Sequence, residues 1–171
     1  TEYELLFKHN YKNVKINGGF ELSNPQYKSD RIAGGKQKKD VTGVFNQVAF
    51  KLIDSFDFVA GLRFDKYGDT TVVSPRLALS YKPNEMWTLR TAYGNGFRAP
   101  SFMESLIDWE HVQFGYTVKG NPDLMPEVST GINLGAEYSN QNNFQVSTLI
   151  YHNNFSNLIK DYALESGILS Y

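Results

Sequence analysis

Cysteine is absent from the 171 residues. That excludes thiolate metal sites, iron–sulfur clusters, thiol catalysis and disulfides. No run approaches the roughly 18 apolar residues that a membrane-spanning helix needs. Charge of one sign is not in excess: the net charge is −1 and the pI about 6.3. Nothing in that balance points to nucleic acid. Only three histidines occur, and no Asp/Glu/His spacing suggests a metal cage. No Ser–His–Asp or paired-carboxylate constellation stands out, so the chain does not read as an enzyme. Neither an initiator Met nor a signal peptide stands at Thr1. A convincing helical period of 3.6 is missing too.

What is present is aromatic content, 15% with eleven Tyr and twelve Phe, and a persistent period of two. Val14, Ile16, Gly18, Phe20 and Leu22 alternate with Lys15, Asn17, Gly19 and Glu21. The same pattern runs through 56–65, 87–94 and 128–138. One face is apolar and the other polar, small or charged, which is the signature of a sheet between two environments. The pattern predicts strands near 2–8, 14–22, 40–52, 56–66, 72–81, 87–97, 127–139 and 143–159. Such lengths suit the roughly 9–11 residues of a tilted membrane-crossing strand. The mean hydropathy is that of a soluble protein, but an alternating barrel has the same property.

The connections repeat the message. Short ones at His9–Asn13, Ile53–Ser55, Lys82–Met86 and Asn140–Asn142 alternate with longer ones at Ser23–Lys39, Tyr67–Thr71, Ala99–Pro126 and after Lys160. An outer-membrane barrel alternates its turns and loops in this way. Phe7, Tyr11, Phe50, Phe56, Tyr81, Trp87, Tyr138 and Phe144 flank the short turns, while Phe20, Phe64, Tyr67, Tyr93, Phe97 and Tyr151 sit toward the long loops. Two belts match the interfacial girdles of a barrel. The fold class expected is all-β: an antiparallel transmembrane β-barrel segment. The alternative of another class is a soluble β-sandwich binding domain.

Two boxes name a family. Y-G-N-G-F-R-A-P at Tyr93–Pro100 and G-N-P-D-L-M-P-E at Gly120–Glu127 resemble those of TonB-dependent receptors, the energised importers of the bacterial outer membrane. V-S-P-R-L-A-L-S-Y at Val73–Tyr81, P-N-E-M-W-T-L-R at Pro83–Arg90 and T-G-I-N-L-G-A-E-Y at Thr130–Tyr138 fit the same order. The resemblance implies a barrel of about 22 strands plugged by an N-terminal domain. Residues 1–171 would be part of that one barrel domain, with the plug and its TonB-contacting segment outside the chain. It also implies a ligand captured at the extracellular mouth, a surrounding lipid bilayer with lipopolysaccharide, and no cofactor of the protein's own.

Within the boxes Gly96, Phe97, Arg98, Ala99 and Pro100, and then Asn121, Pro122, Asp123 and Leu124, read as structural. Glycine relieves crowding, proline stops strand pairing, Asp123 is placed to cap a turn, and Arg98 to pair with a lumen carboxylate or with Glu104. Arg63, Arg76, Arg90, Arg98 and Glu137 would hold the plug or line the path. His111, between the boxes, takes the place of the histidine that the haem-binding members carry as an iron ligand. Trp109, Val112, Phe114 and Tyr116 would pack on a porphyrin, and Lys119 would meet a propionate. Haem, free or from haemoglobin, is the first expectation for the transported ligand, a ferric siderophore the second, and vitamin B12 or a glycan the third. The competing reading of His111 is a solvated loop histidine. His9 and His152 read as surface residues, D-K-Y-G-D at Asp65–Asp69 as a turn rather than a Ca²⁺ loop, and Gly34–Asp40 as a solvated basic loop or a lipopolysaccharide contact.

Overall fold

The computed structural model describes residues 1–140, 144–160, 163–165 and 167–171. Eight long strands form one antiparallel sheet: β1 (Glu2–Tyr11), β2 (Val14–Ser23), β5 (Val41–Ile53), β6 (Phe56–Tyr67), β7 (Thr70–Tyr81), β8 (Trp87–Arg98), β11 (Glu127–Ser139) and β12 (Gln145–Ser156). Each pairs with its neighbours along the chain in that order. All eight strands that the alternation predicts are there. The expected modest loop Tyr67–Thr71 is instead a tight turn, with Gly68 at φ 58°, so short and long connections do not alternate strictly. Most of the expected turn Asn140–Asn142 lies outside the described residues.

The register keeps the two faces apart across the whole wall. Leu5 faces Phe20, Phe20 faces Val44, Val44 faces Phe64 and Phe64 faces Val73. On the same face Leu77 meets Tyr93, Tyr93 meets Ile132, and Leu89 meets Ala136. This apolar face is bare, with Leu5 69% and Leu134 56% exposed. Among the described residues no helix is long and apolar enough to cross a membrane. Near the short turns rings meet across strands: Phe50 stacks on Phe58 at 5.7 Å, while Phe56–Tyr81 at 5.5 Å and Trp87–Tyr138 at 5.1 Å are tilted. These are the ring pairs of one expected girdle.

The opposite face is polar and tied by charge. Arg63 donates to Glu21 at 2.6 Å and to Asp65 at 2.7 Å. Gly43 makes this possible, because a Cβ there would stand 2.6 Å from the Arg63 guanidinium. Arg90 pairs with Glu137 at 2.7 Å. Asp65 is thus a buried ion-pair partner, and D-K-Y-G-D is a strand end running into a turn.

Beyond the long-loop end lies a cap made by two insertions. The first carries a hairpin, β3 (Gln26–Lys28) with β4 (Lys36–Lys38). The second carries helix α1 (Phe102–Leu106), β9 (Asp108–His111) and β10 (Tyr116–Lys119). Farther along, β13 (Ala163–Glu165) pairs with β14 (Ile168–Ser170), and β14 adds in parallel to β10. The buried large apolar side chains among the described residues are all in this cap: Ile32, Ile107 and Val118. Ile32 bridges Ile107 directly.

Candidate functional site

The turn between β9 and β10 sets the candidate site. Val112–Phe114 make one 3-10 turn, and Gly115 ends it in the left-handed conformation at φ 69°, where glycine lacks the penalty of a side chain. Its N–H donates to the His111 carbonyl at 3.0 Å. The chain reverses so that His111 faces Tyr116 and Trp109 faces Val118. Three rings then surround the imidazole. Trp109 and Phe114 meet it edge-on at 4.5 Å each, and Tyr116 stacks at 5.2 Å. Val112 and Phe114 project at the tip, 78% and 71% exposed.

Lys119 does not join them. It lies opposite Asp108, and strand alternation puts that pair and the Glu110–Thr117 pair on the other face of the hairpin. The expected propionate partner is therefore displaced from the ring cluster. The cation that the structure brings to Trp109 is Arg31, whose guanidinium lies 4.6 Å from the ring. Among the described residues no group of three or more His, Asp or Glu is placed to hold a metal ion.

The two boxes meet at Arg98. Its Nη1 donates to the expected Glu104 at 3.0 Å, and its Nε donates to Glu127, at the end of the second box, at 2.6 Å. Ser101 and Glu104 cap α1 reciprocally. The Arg98 guanidinium and the Ser101 hydrogen bonds hold Glu104 below the usual carboxylate range against the opposing effect of burial. Tyr67 donates to the Pro100 carbonyl at 2.8 Å. Ser129 donates to the Gly96 carbonyl at 3.4 Å, and Phe97 pairs with Val128 on the apolar face. Asn121 donates its N–H to the Glu104 carbonyl at 2.9 Å. The expected cap at Asp123 is in fact made by Asn121, whose Oδ1 accepts from the Asp123 N–H at 2.9 Å. Pro122 is exposed and Leu124 half-buried.

The family described as TonB dependent receptor-like, beta-barrel, matches residues 2–168. The chain belongs to this family. This receptor chain is 32% identical over 127 residues to the iron-regulated outer membrane virulence protein of Vibrio cholerae serotype O1. That match covers 72% of the chain and 19% of the relative, so the chain spans about a fifth of the relative's length. Among solved structures, the siderophore receptor PirA from Pseudomonas aeruginosa superposes with a TM-score of 0.85 at 19% identity, covering 99% of this chain and 36% of that one. A double mutant of the Serratia marcescens hemophore receptor HasR, in complex with its hemophore HasA and heme, gives 0.76 at 18%, covering 99% and 35%. The chain is thus part of a receptor barrel wall of the bacterial outer membrane.

In this receptor chain the boxes form the joint between wall and cap, and the ring cluster sits beyond that joint at the long-loop end. Arg31 has no signal of its own in the sequence. It is a lone arginine in a polar loop, and only the packing of two loops far apart in sequence carries it to Trp109.

Proposed function

We propose that the whole receptor imports an iron carrier across the outer membrane, driven by TonB through a plug inside a barrel of about 22 strands. The carrier is captured on the cap at Trp109, His111, Phe114 and Tyr116. One observation carries this reading: four rings converge at an outward loop tip whose apolar residues Val112 and Phe114 are left open. Rigid aromatic faces presented on a loop are a binding surface rather than a folding device.

A ferric siderophore with aromatic chelating groups is the first reading of the carrier. The three rings around His111 make the imidazole one member of a stacking surface, and PirA from Pseudomonas aeruginosa is a siderophore receptor. Haem is the second reading. It is favoured by the central imidazole, a good iron donor, and by the heme-bound HasR complex. The protein acts as a transporter and performs no covalent chemistry.

The test is a titration of purified full-length receptor in detergent. Ferric tricatecholate binding is followed by fluorescence quenching and haemin binding by the Soret band, with Trp109→Ala and His111→Ala alongside. Saturable tricatecholate binding, weakened about three- to tenfold by Trp109→Ala as expected for one lost aromatic contact, supports the siderophore reading. A saturable Soret shift whose ligation signature changes in His111→Ala supports haem. Saturation by neither carrier sinks the iron-carrier reading.

A further inference from the structure

Of the five arginines in the chain, Arg63, Arg90 and Arg98 each hold a carboxylate at 3.0 Å or less. Arg76 stands on the polar face of the wall beside Gly94. Arg31 is different again. It is exposed, makes no ion pair among the described residues, and rests on the face of Trp109 at 4.6 Å. A guanidinium on an indole face is steadied by cation–π attraction while its N–H groups stay free at the edge. Such a cation has a fixed place and, among the described residues, no counter-ion.

The backbone around it is fixed. Asp108 N–H donates to the Arg31 carbonyl at 2.9 Å, and Ala33 N–H donates to the Leu106 carbonyl at 3.0 Å. Between these two bonds Ile32 and Ile107 bridge and bury each other. Arg31 is therefore held against the first residues of β9, the strand that carries Trp109 and His111. Lys119, expected to serve as the cation, points from the other face.

We propose that Arg31 reads the charge of the carrier: its guanidinium binds an anionic oxygen, a catecholate or carboxylate, while the rings of Trp109, Phe114 and Tyr116 take the aromatic part. This rests on the ring cluster being the carrier site. It adds that the site is built from two loops, and that it selects anionic carriers over neutral ones of the same shape.

The experiment uses full-length receptor, with anionic ferric tricatecholate as probe and haemin in parallel, titrated at low and high salt. A hydrogen-bonded charge contact is worth about tenfold or more in affinity, and salt screens it. The expected result is that Arg31→Ala loses about tenfold at low salt and flattens the salt dependence. Arg31→Lys restores the salt dependence with only part of the affinity, and Lys119→Ala matches wild type. Wild-type affinity and salt dependence in Arg31→Ala overturn the proposal. So does a loss of affinity with unchanged salt dependence, because that is the mark of a packing role alone. Absence of saturable binding in wild type overturns the carrier-site reading itself, and the charge proposal with it.

Discussion

In the eight-strand wall the large apolar side chains stay open, with Leu134 at 56% and Ile150 at 69% exposed, whereas in the cap Ile32 and Ile107 are 4% and 6% exposed. The same residue types meet opposite surroundings within one chain. The wall's apolar face has hydrocarbon as its solvent, so its order comes from the backbone ladder and from cross-strand ring pairs. The cap lies in water and has to build a small core of its own. The polar face of the wall follows a third rule, with two of its arginines matched in place: Arg63 with Glu21 and Asp65, and Arg90 with Glu137. Stability of the barrel and geometry of the binding surface are therefore set by different physics, and substitutions should separate them.

The largest effect is expected in the wall. Leu134→Arg places a charge on the lipid face and should destabilise the full-length barrel by about 2–4 kcal/mol if it sits near the bilayer midplane. Urea unfolding in lipid vesicles measures this, and cap exchange should stay as in wild type. In the cap, Ile107→Ala removes half of the Ile32–Ile107 contact. A local loss of about 2 kcal/mol is expected, read as faster amide exchange at Ser105–Asp108 with barrel melting unchanged. Equal shifts in both regions for either variant would erase the division. Gly120→Ala comes next. Its Cβ would stand 2.5 Å from the backbone of Ser105 and Leu106, so α1 must move, at about 1–2 kcal/mol. Carrier affinity and protease resistance of the cap should fall together.

The smallest effect is pH-dependent. Glu104 has a carboxyl pKa lowered first by Arg98. A depressed carboxylate adds stability at pH above its ordinary value of 4.5 and loses that contribution as pH falls through the folded-state value. Pepsin cleavage of the cap should therefore accelerate with acidification in wild type more steeply than in Glu104→Gln, which starts without the charge.

The wall was legible residue by residue, because period two runs for ten or more residues in each strand and only one face is polar. The predicted 56–66 and 127–139 became Phe56–Tyr67 and Glu127–Ser139. One partner of Arg98 was legible too, since Glu104 is six residues away; Glu127 was not singled out, because only the β8–β11 register brings it to Arg98. The cap was not. Its strands and helix are three to five residues long, too short for any period to register. They exist through contacts such as Ile32–Ile107, which no local pattern announces. Lys119 is a nearer miss: Tyr116 and Lys119 are three apart on one strand, and an odd spacing puts them on opposite faces. Reading Ala99–Pro126 as one long connection hid that parity.

The Ile32–Ile107 bridge also limits how binding specificity can be transplanted. Residues 24–40 and 99–126 are far apart in sequence, yet they close into one body through that bridge and its two flanking backbone bonds. A loop graft carrying only the second segment into another barrel would deliver Trp109 and His111 without Arg31, and with Ile107 stripped of its cover. The unit of exchange is the pair of segments, so recombination between relatives at any point within 41–98 separates the halves of one binding surface.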